Sequence, residues 1–429
     1  MIGDKKPDEP ALLTAKEFIY YPNRTSRLKK AGKNMTVKDR CCGREIETKC
    51  IHLEEAEGKY ENYGAVSFPI YQSATFAHEY VGAEDGYDYS RLQNPTRERL
   101  EKIIASLENG CDAVALSSGM AAISLLMEIF EPGDNIIIDS DLYGGSIRLF
   151  DSVSAKNKLS FTRVNCCRDN VEECIKENTK ALFLETPTNP MMNVCDIEKL
   201  SLVCKKHGII FIVDNTFLSP YLQNPLMLGA DIVIHSGSKY IGGHNDTLSG
   251  FIVTNRKDLS EKFRFLIKTI GSSLAPFDCW LVLRGVQTLP IRMEKAQENA
   301  AELALWLKGQ SVVTQVIYPG LPEHPGYEIM KRQARGFGAM ITFKVKNEAA
   351  ARHILENVRL IKFAESLGGT ESLITYPVTQ THADVPEEVR LANGLTKETL
   401  RLSVGIENIK DLKAELERVF ALSREQKYA

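Results

Sequence analysis

From about residue 100 onward the chain alternates short apolar runs with amphipathic stretches. The runs at 113–116, 135–138, 181–184, 209–213, 231–234 and 251–254 are almost wholly apolar. They read as strands buried on both faces, because a half-exposed strand would alternate apolar and polar positions. Helical spacing lies between several of them. At 196–207, for example, Ile197, Leu200 and Cys204 share one face and Gly208 supplies a stop. Parallel strands need crossover connections, so this alternation predicts an α/β architecture: a mainly parallel central sheet with helices on both faces. In such sheets ligands gather beyond the C-terminal strand ends. After a long helix expected at 290–308 the texture changes, with strands at 338–345, 360–363 and 399–404 and helices between and after. This reads as a smaller C-terminal α+β domain. The expected division is a polar extension at 1–45, an arm segment at 46–105, a large domain at 106–300 and the C-terminal domain at 301–429.

Composition narrows the classes. The chain carries 53 Lys+Arg against 56 Asp+Glu, a net charge of −3, with 43% hydrophobic and 25% charged residues. No basic excess exists to support nucleic-acid or membrane-surface binding. Apolar runs such as 120–130 fall short of the ~20 residues that cross a bilayer. Near the N-terminus Leu12, Leu13, Phe18 and Ile19 are interrupted by Lys16 and Glu17, so neither a membrane span nor export is expected, and the location expected is cytoplasmic. Between Arg24 and Arg44 eight basic residues face the single acid Asp39, which reads as a solvated arm. The ten cysteines include two adjacent pairs and no Cys-x-x-Cys spacing, so most are expected as reduced core thiols, with no metal site.

Three segments carry candidate chemistry. Residues 113–122 form a strand, a small-residue turn and a helix start, where the exposed N–H groups near Ser118, Gly119 and Met120 suit a phosphate or serve as a plain cap. Asp214 ends a strongly apolar strand, where a carboxylate needs a partner. Lys239 emerges from the next such strand between hydroxyls at Ser236 and Ser238. A desolvated lysine there can attack an aldehyde. A lysine for the aldehyde, an acid for a ring nitrogen, phosphate donors and an aromatic lid such as Tyr143 together point to pyridoxal phosphate chemistry. Gly144 and Gly145 allow close backbone approach beside that lid.

With these residues in view, the chain resembles the Cys/Met-metabolism (transsulfuration) family of pyridoxal 5'-phosphate enzymes, of the type I, aspartate-aminotransferase-like fold. The motifs YSRLQNPTRERLE, SSGMAA, DLYGGS, ETPTNP, VDNTF, SGSKYIGGHND, SLGGTESL and LRLSVGIE occur in order, within a match from about residue 48 to 422. The resemblance implies Lys239 as Schiff-base lysine and proton shuttle, Asp214 as pyridinium partner and Tyr143 as stacking ring. It implies Ser118, Gly119, Met120, Ser236 and Ser238 as phosphate ligands, with Ser238 where the family usually has threonine. Asn189 and Thr216 become neighbours of the ring. Tyr89 and Arg91 lie in the loop that family members insert into a partner subunit's site, Arg91 toward the phosphate and Tyr89 toward the substrate amine. The implied assembly is a homo-oligomer with shared active sites, at least a dimer and expected as a tetramer built from two dimers. Arg401 is implied to bind the substrate α-carboxylate, with Ser366 beside it.

The reactions within the family share these residues. Glu371 resembles the acid that cystathionine-handling members place near a distal amino group, and Gly145 stands where methionine γ-lyases carry cysteine. The segment TYPVTQTHADVPEEVR looks like bacterial cystathionine γ-synthases and O-acetylhomoserine thiolyases. These features lean toward cystathionine γ-synthase, with small amino acids as substrates and a place in methionine biosynthesis. Cystathionine γ- or β-lyase and O-acylhomoserine sulfhydrylase stand as alternatives. A noncatalytic cofactor-binding relative would be expected to have lost the lysine or the arginine, and a plain aminotransferase would consume a second keto acid.

Overall fold

The structure, a computed structural model, describes residues 44–52, 64–82 and 86–425. The expected extension at 1–45 lies outside these residues apart from Arg44 and Glu45. Seven strands form the larger sheet: β1 (Asp112–Leu116), β2 (Asn135–Asp139), β3 (Ser160–Val164), β4 (Thr179–Glu185), β5 (Ile210–Asp214), β6 (Ile232–Ser236) and β7 (Gly250–Thr254). Their order is β1-β7-β6-β5-β4-β2-β3. The strands from β6 to β3 run parallel, while β7 is antiparallel to both of its neighbours.

Alternate residues of each strand enter two separate cores. Ile137, Leu182, Leu184, Phe211 and Val213 face one core, while Ile136, Ile138, Phe183, Ile212 and Ile234 face the other. Burial on both faces is why these strands are apolar runs. Helix Pro95–Glu108 covers the first face, and helices Gly119–Met127 and Lys257–Ile270 cover the second. Helix Ile197–His207 begins on the Asp196 side chain, which accepts from Lys199 N, and ends at Gly208 with φ +65°.

The smaller sheet contains β8 (Val313–Ile317), β9 (Met340–Val345), β10 (Lys362–Phe363), β11 (Leu373–Thr375) and β12 (Thr399–Ser403), in the order β10-β11-β12-β9-β8. It is antiparallel except between β10 and β11. Helix Leu289–Lys308 runs unbroken through residue 300, so a boundary drawn there lies within one element. No helix among the described residues is long and apolar enough to cross a membrane.

This helix also shapes the turn that presents Lys239. The Arg292 guanidinium, 5% exposed, donates to Tyr240 O and Gly285 O at 2.7 Å each. Gly243 closes the turn at φ +72°, and a Cβ there would sit 1.9 Å from Arg292 Nη1. Arg292→Met removes the donors and leaves the Tyr240 carbonyl without this partner, while Gly285 O keeps its bonds from Thr288, so we expect a loss of about 1–3 kcal/mol. A lower urea midpoint at unchanged slope would register it. A midpoint equal to that of the wild type would show that the turn holds without the arginine.

Candidate active site

The parallel register that pairs Glu185 with Asp214 sets two carboxyl groups side by side at the C-terminal ends of β4 and β5. Asp214 Oδ1 accepts from the backbone N of Thr216 at 3.0 Å and from the Thr216 hydroxyl. That hydroxyl in turn accepts from Ser236 N at 2.9 Å, tying β5 to the exit of β6. Glu185 Oε2 accepts from Tyr143 N at 2.9 Å. Burial pushes both carboxyls up from their ordinary range, and the charge of Asp214 pushes Glu185 further. Neither carboxyl forms a salt bridge among the described residues.

Opposite these acids lie two cations. Lys239 Nζ donates to Ser366 Oγ at 2.8 Å. Arg401, 1% exposed on β12, donates from Nη2 to Ser366 O at 3.0 Å and to Thr375 Oγ1 at 3.1 Å, and from Nη1 to Asn189 Oδ1 at 2.8 Å. Its Nε is buried without an acceptor. Burial lowers Lys239 from 10.5 to about 8, with the Arg401 charge contributing, and lowers Arg401 to about 10. Ser366 reaches both cations from a backbone at φ +94°, a conformation that non-glycine residues rarely adopt. Strain of that kind collects where surrounding structure fixes a functional group.

The small-residue turn adjoins this centre. Ser118 caps helix Gly119–Met127 by accepting from Ala121 N at 3.0 Å, so Gly119 and Met120 stand in its first turn, whose N–H groups lack intrahelical acceptors. A Cβ on Gly119 would lie 2.8 Å from Ser236 Cβ, which places the two turns in contact. Ser238 exchanges hydrogen bonds with Ser249, accepting from its N at 2.9 Å and donating to its O at 3.2 Å. Its hydroxyl hydrogen is therefore directed at the protein.

Tyr143 precedes the short helix Gly144–Arg148 and is 37% exposed. The close approaches at Gly144 and Gly145 are to Thr381 O and to the Tyr143 ring itself. Residues 366–371 pack along the segment after Lys239: a Cβ on Gly368 would meet Tyr240 N at 2.6 Å, and one on Gly369 would meet Asn245 Nδ2 at 2.2 Å. At the end of this loop the exposed Glu371 accepts from Asn245 Nδ2 at 2.9 Å and Thr370 Oγ1 at 3.0 Å. Tyr89 and Arg91 share no hydrogen bond with Lys239, Ser366 or Arg401 among the described residues. Arg91 lies over the Tyr89 ring and donates to Lys268 O at the end of helix Lys257–Ile270.

The structure thus brings together Lys239, Ser366, Arg401 and Asn189, with Asp214, Thr216 and Ser236 on a second connected set. Sequence reasoning did not single out Glu185, Asn245, Thr375 or His382. Glu185 and Asn245 stand inside ETPTNP and SGSKYIGGHND, but no local pattern reveals that one meets Tyr143 and the other Glu371. His382 sits with Nε2 3.0 Å from Asn189 O and is lowered to about 4 by burial, so it is neutral.

A phosphorylated aromatic aldehyde fits this donor set. The site offers an amine with a lowered pKa, carboxyls without a cationic partner, a helix start beside serine hydroxyls, and an arginine with an unspent buried N–H.

Comparison with known proteins agrees with that chemistry. Residues 47–421 match the model of the Cys/Met metabolism PLP-dependent enzyme family. The chain is 47% identical over 363 residues to the cystathionine gamma-synthase of Haemophilus influenzae, covering 84% of this chain and 94% of that one. It is 45% identical over 372 residues to the cystathionine beta-lyase of Lactococcus lactis, covering 86% and 97%. The crystal structure of cystathionine gamma-lyase from Lactobacillus plantarum complexed with L-serine superposes with a TM-score of 0.85 at 44% identity, covering 88% of this chain and 99% of that chain. The expected α/β, type I fold follows from these neighbours. The chain belongs to the Cys/Met metabolism family of PLP-dependent enzymes and is a transsulfuration enzyme with pyridoxal 5'-phosphate as its cofactor.

Proposed function

We propose that the enzyme catalyses γ-replacement on an O-acylhomoserine, with L-cysteine as the incoming thiol and cystathionine as the product. The observation that supports this reading is Glu371, held by Asn245 and Thr370 on the same loop whose first residue, Ser366, touches Lys239 and Arg401. Arg401 offers one α-carboxylate anchor, and Glu371 offers a separate anion for the ammonium of a second amino acid. A sulfhydrylase acting on inorganic sulfide has no second amino group for that anchor. Elimination from cystathionine is the second reading, since its distal ammonium fits the same carboxylate, and the near-equal identities to a synthase and a lyase favour keeping it in view.

Bound pyridoxal phosphate supplies an aldehyde and an electron-withdrawing ring. The residues divide the remaining work. Lys239 Nζ, which sheds its proton near pH 8, is the amine for the aldehyde and then the carrier of protons at substrate Cα and Cβ. Asp214 is the partner for the ring nitrogen, with Thr216 fixing its orientation and Glu185 behind it. Ser118, Gly119, Met120 and Ser236 are the phosphate donors. Ser238 joins them once its hydroxyl hydrogen turns from Ser249 O. Tyr143 and Asn189 border the ring. Arg401 takes the substrate carboxylate on its free Nε–H, a charge-assisted bond that replaces no existing one. Tyr89 and Arg91 complete the site of a second copy, Arg91 at the phosphate and Tyr89 at the substrate amine. Exposed Phe265 and Ile270 beside them suit burial in that interface. A two-fold dimer, or a tetramer of two dimers, satisfies this geometry.

Four outcomes test these roles. Incubation with O-acetylhomoserine or O-succinylhomoserine should yield cystathionine only when cysteine is present; release of pyruvate or 2-oxobutyrate from cystathionine, with no condensation, makes the lyase reading correct. Glu371→Gln should lower kcat/KM for cysteine about tenfold, the value of a charge-assisted bond of ~1.5 kcal/mol, while elimination from O-acylhomoserine alone changes less. Equal losses would give Glu371 a structural role. In cofactor-free protein, the rate of imine formation with pyridoxal phosphate should rise with pH through about 8, because the neutral amine is the nucleophile, and Arg401→Met should move that midpoint upward. Finally, Lys239→Ala and Arg91→Ala chains should regain activity when their subunits exchange; verified exchange without recovery would place Arg91 outside a shared site.

A further inference from the structure

Most of the described cysteines are free thiols as expected, but Cys167 and Cys195 form a disulfide, with Cα atoms 4.7 Å apart and a sequence separation of 28, and free Cys111 is exposed rather than in the core. Cys50, Cys111, Cys166, Cys174, Cys204 and Cys279 are free thiols, and Cys41 and Cys42 lie outside the described residues. In the sheet order β4-β2-β3 the bridge links the turn after edge strand β3 to the loop after β4, passing over the end of β2. The last residue of β2, Asp139, lies beneath it, 2% exposed. Its Oδ2 is 3.8 Å from Cys195 Sγ and accepts from Cys166 N at 3.2 Å.

The two sulfurs differ in access. Cys195 is 1% exposed, whereas Cys167 is partly exposed. The neighbouring thiols Cys166 and Cys204 are held protonated by burial, Cys204 at about 12, which leaves them poor nucleophiles for rearranging the bridge. The loop that the bridge anchors, residues 186–195, is otherwise closed on itself. Asn193 N donates to Thr188 Oγ1 at 2.9 Å, Cys195 N donates to Thr186 Oγ1 at 3.0 Å, and Asn193 Nδ2 donates to Asp141 Oδ2 at 3.0 Å. From this loop Asn189 Oδ1 accepts from Arg401.

We infer that Cys167–Cys195 is a reversible thiol–disulfide exchange site for low-molecular-weight thiols, with Asp139 as its proton donor and acceptor, and that its state sets how firmly Asn189 holds Arg401. A thiolate attacks the accessible Cys167 Sγ, forming a mixed disulfide there and expelling Cys195 Sγ, which takes the proton of the Asp139 carboxyl. A second thiol attacks the mixed disulfide and leaves as the symmetric disulfide, and Cys167 takes its proton from solvent. Two thiols thus surrender two electrons, and two cysteine thiols form. Burial raises Asp139 to about 7, aided by the charge of Asp141, so both of its protonation states are populated near neutrality. The titratable groups facing it are Asp141, Glu185, Cys166 and Cys195. Asp139, Cys167 and Cys195 have atoms within 4.8 Å of one another.

The test uses the full-length holoenzyme equilibrated in glutathione redox buffers, acid-quenched, alkylated and mapped by peptide mass spectrometry. The expected result is a single two-electron transition in which Cys167 and Cys195 are protected together and become alkylated together. Asp139→Asn should slow opening by glutathione at pH 7 on the order of tenfold or more, the effect of removing a general acid. Cys167→Ser should show the same raised KM for the amino acid substrate as reduced wild-type protein, with kcat changed far less. The KM comparison rests on the reading of Arg401 given above, whereas the peptide map and the Asp139→Asn rate do not, so failure of that reading leaves the exchange chemistry measurable. Reduced wild-type protein needs no substitution, which covers a Cys167→Ser chain that folds poorly. The inference is overturned by free thiols at both positions in air-equilibrated protein, by stoichiometric zinc released on alkylation, or by identical KM values in the oxidised and reduced forms.

Discussion

Two cations, Lys239 and Arg401, share one serine and form no salt bridge among the described residues, Glu365 and Glu185 acting on them only from beyond contact. Ser366 accepts from both, through its hydroxyl and its carbonyl, and the remaining ligands of Arg401 are the neutral groups Thr375 and Asn189. Desolvation without a counter-ion is costly: lowering Lys239 from 10.5 to about 8 disfavours its charged form by on the order of 3 kcal/mol. That cost has a chemical use. It supplies an amine that can lose its proton near neutrality, and it leaves an arginine with a buried N–H that has no acceptor. The strained φ of Ser366, the β12 position of Arg401 and the Arg292-braced turn after Lys239 all serve this one arrangement.

The acids present the complementary problem. Parallel pairing of β4 with β5 forces Glu185 and Asp214 into neighbouring positions, and like charges in a poorly solvated site raise each other's proton affinity. Glu185 is the more strongly affected, and its hydrogen bond from Tyr143 N turns it into a strut beneath the lid residue. A ligand carrying a protonated ring nitrogen would relieve the pair.

Legibility in the sequence followed burial. Strands covered on both faces announced themselves as apolar runs, and β1, β2, β4, β5, β6 and β7 lie within two residues of the expected positions. β3 was missed because it is an edge strand whose Ser160, Thr162 and Arg163 face partly outward. β8 is likewise an edge strand and half-exposed, and β11 has only three residues. At the site, Asp214 and Lys239 were legible because a charge at the end of an apolar strand is anomalous on any reading. Glu185 ends an equally apolar strand and was passed over, since its meaning depends on which strand lies beside it. The Cys167–Cys195 bridge and the Asn245–Glu371 contact are long-range pairings, and a single sequence carries no signal for partners 28 and 126 residues apart.

The loop at 366–371 joins chemistry to selection. Its first residue touches Lys239, Gly368 and Gly369 press their backbones against the segment following that lysine, and its last residue is the rim carboxylate. No side chain fits at either glycine without moving backbone or displacing Asn245, so the two ends of the loop are held in one fixed relation to Lys239. In the roles proposed above, the carboxylate at the rim would read the second amino acid at a set distance from the amine that moves the protons. On that proposal the arrangement serves addition of a thiol amino acid and its removal equally well. A synthase and two kinds of lyase stand at nearly the same similarity to this chain, which accords with a shared frame that does not itself set the direction of the reaction.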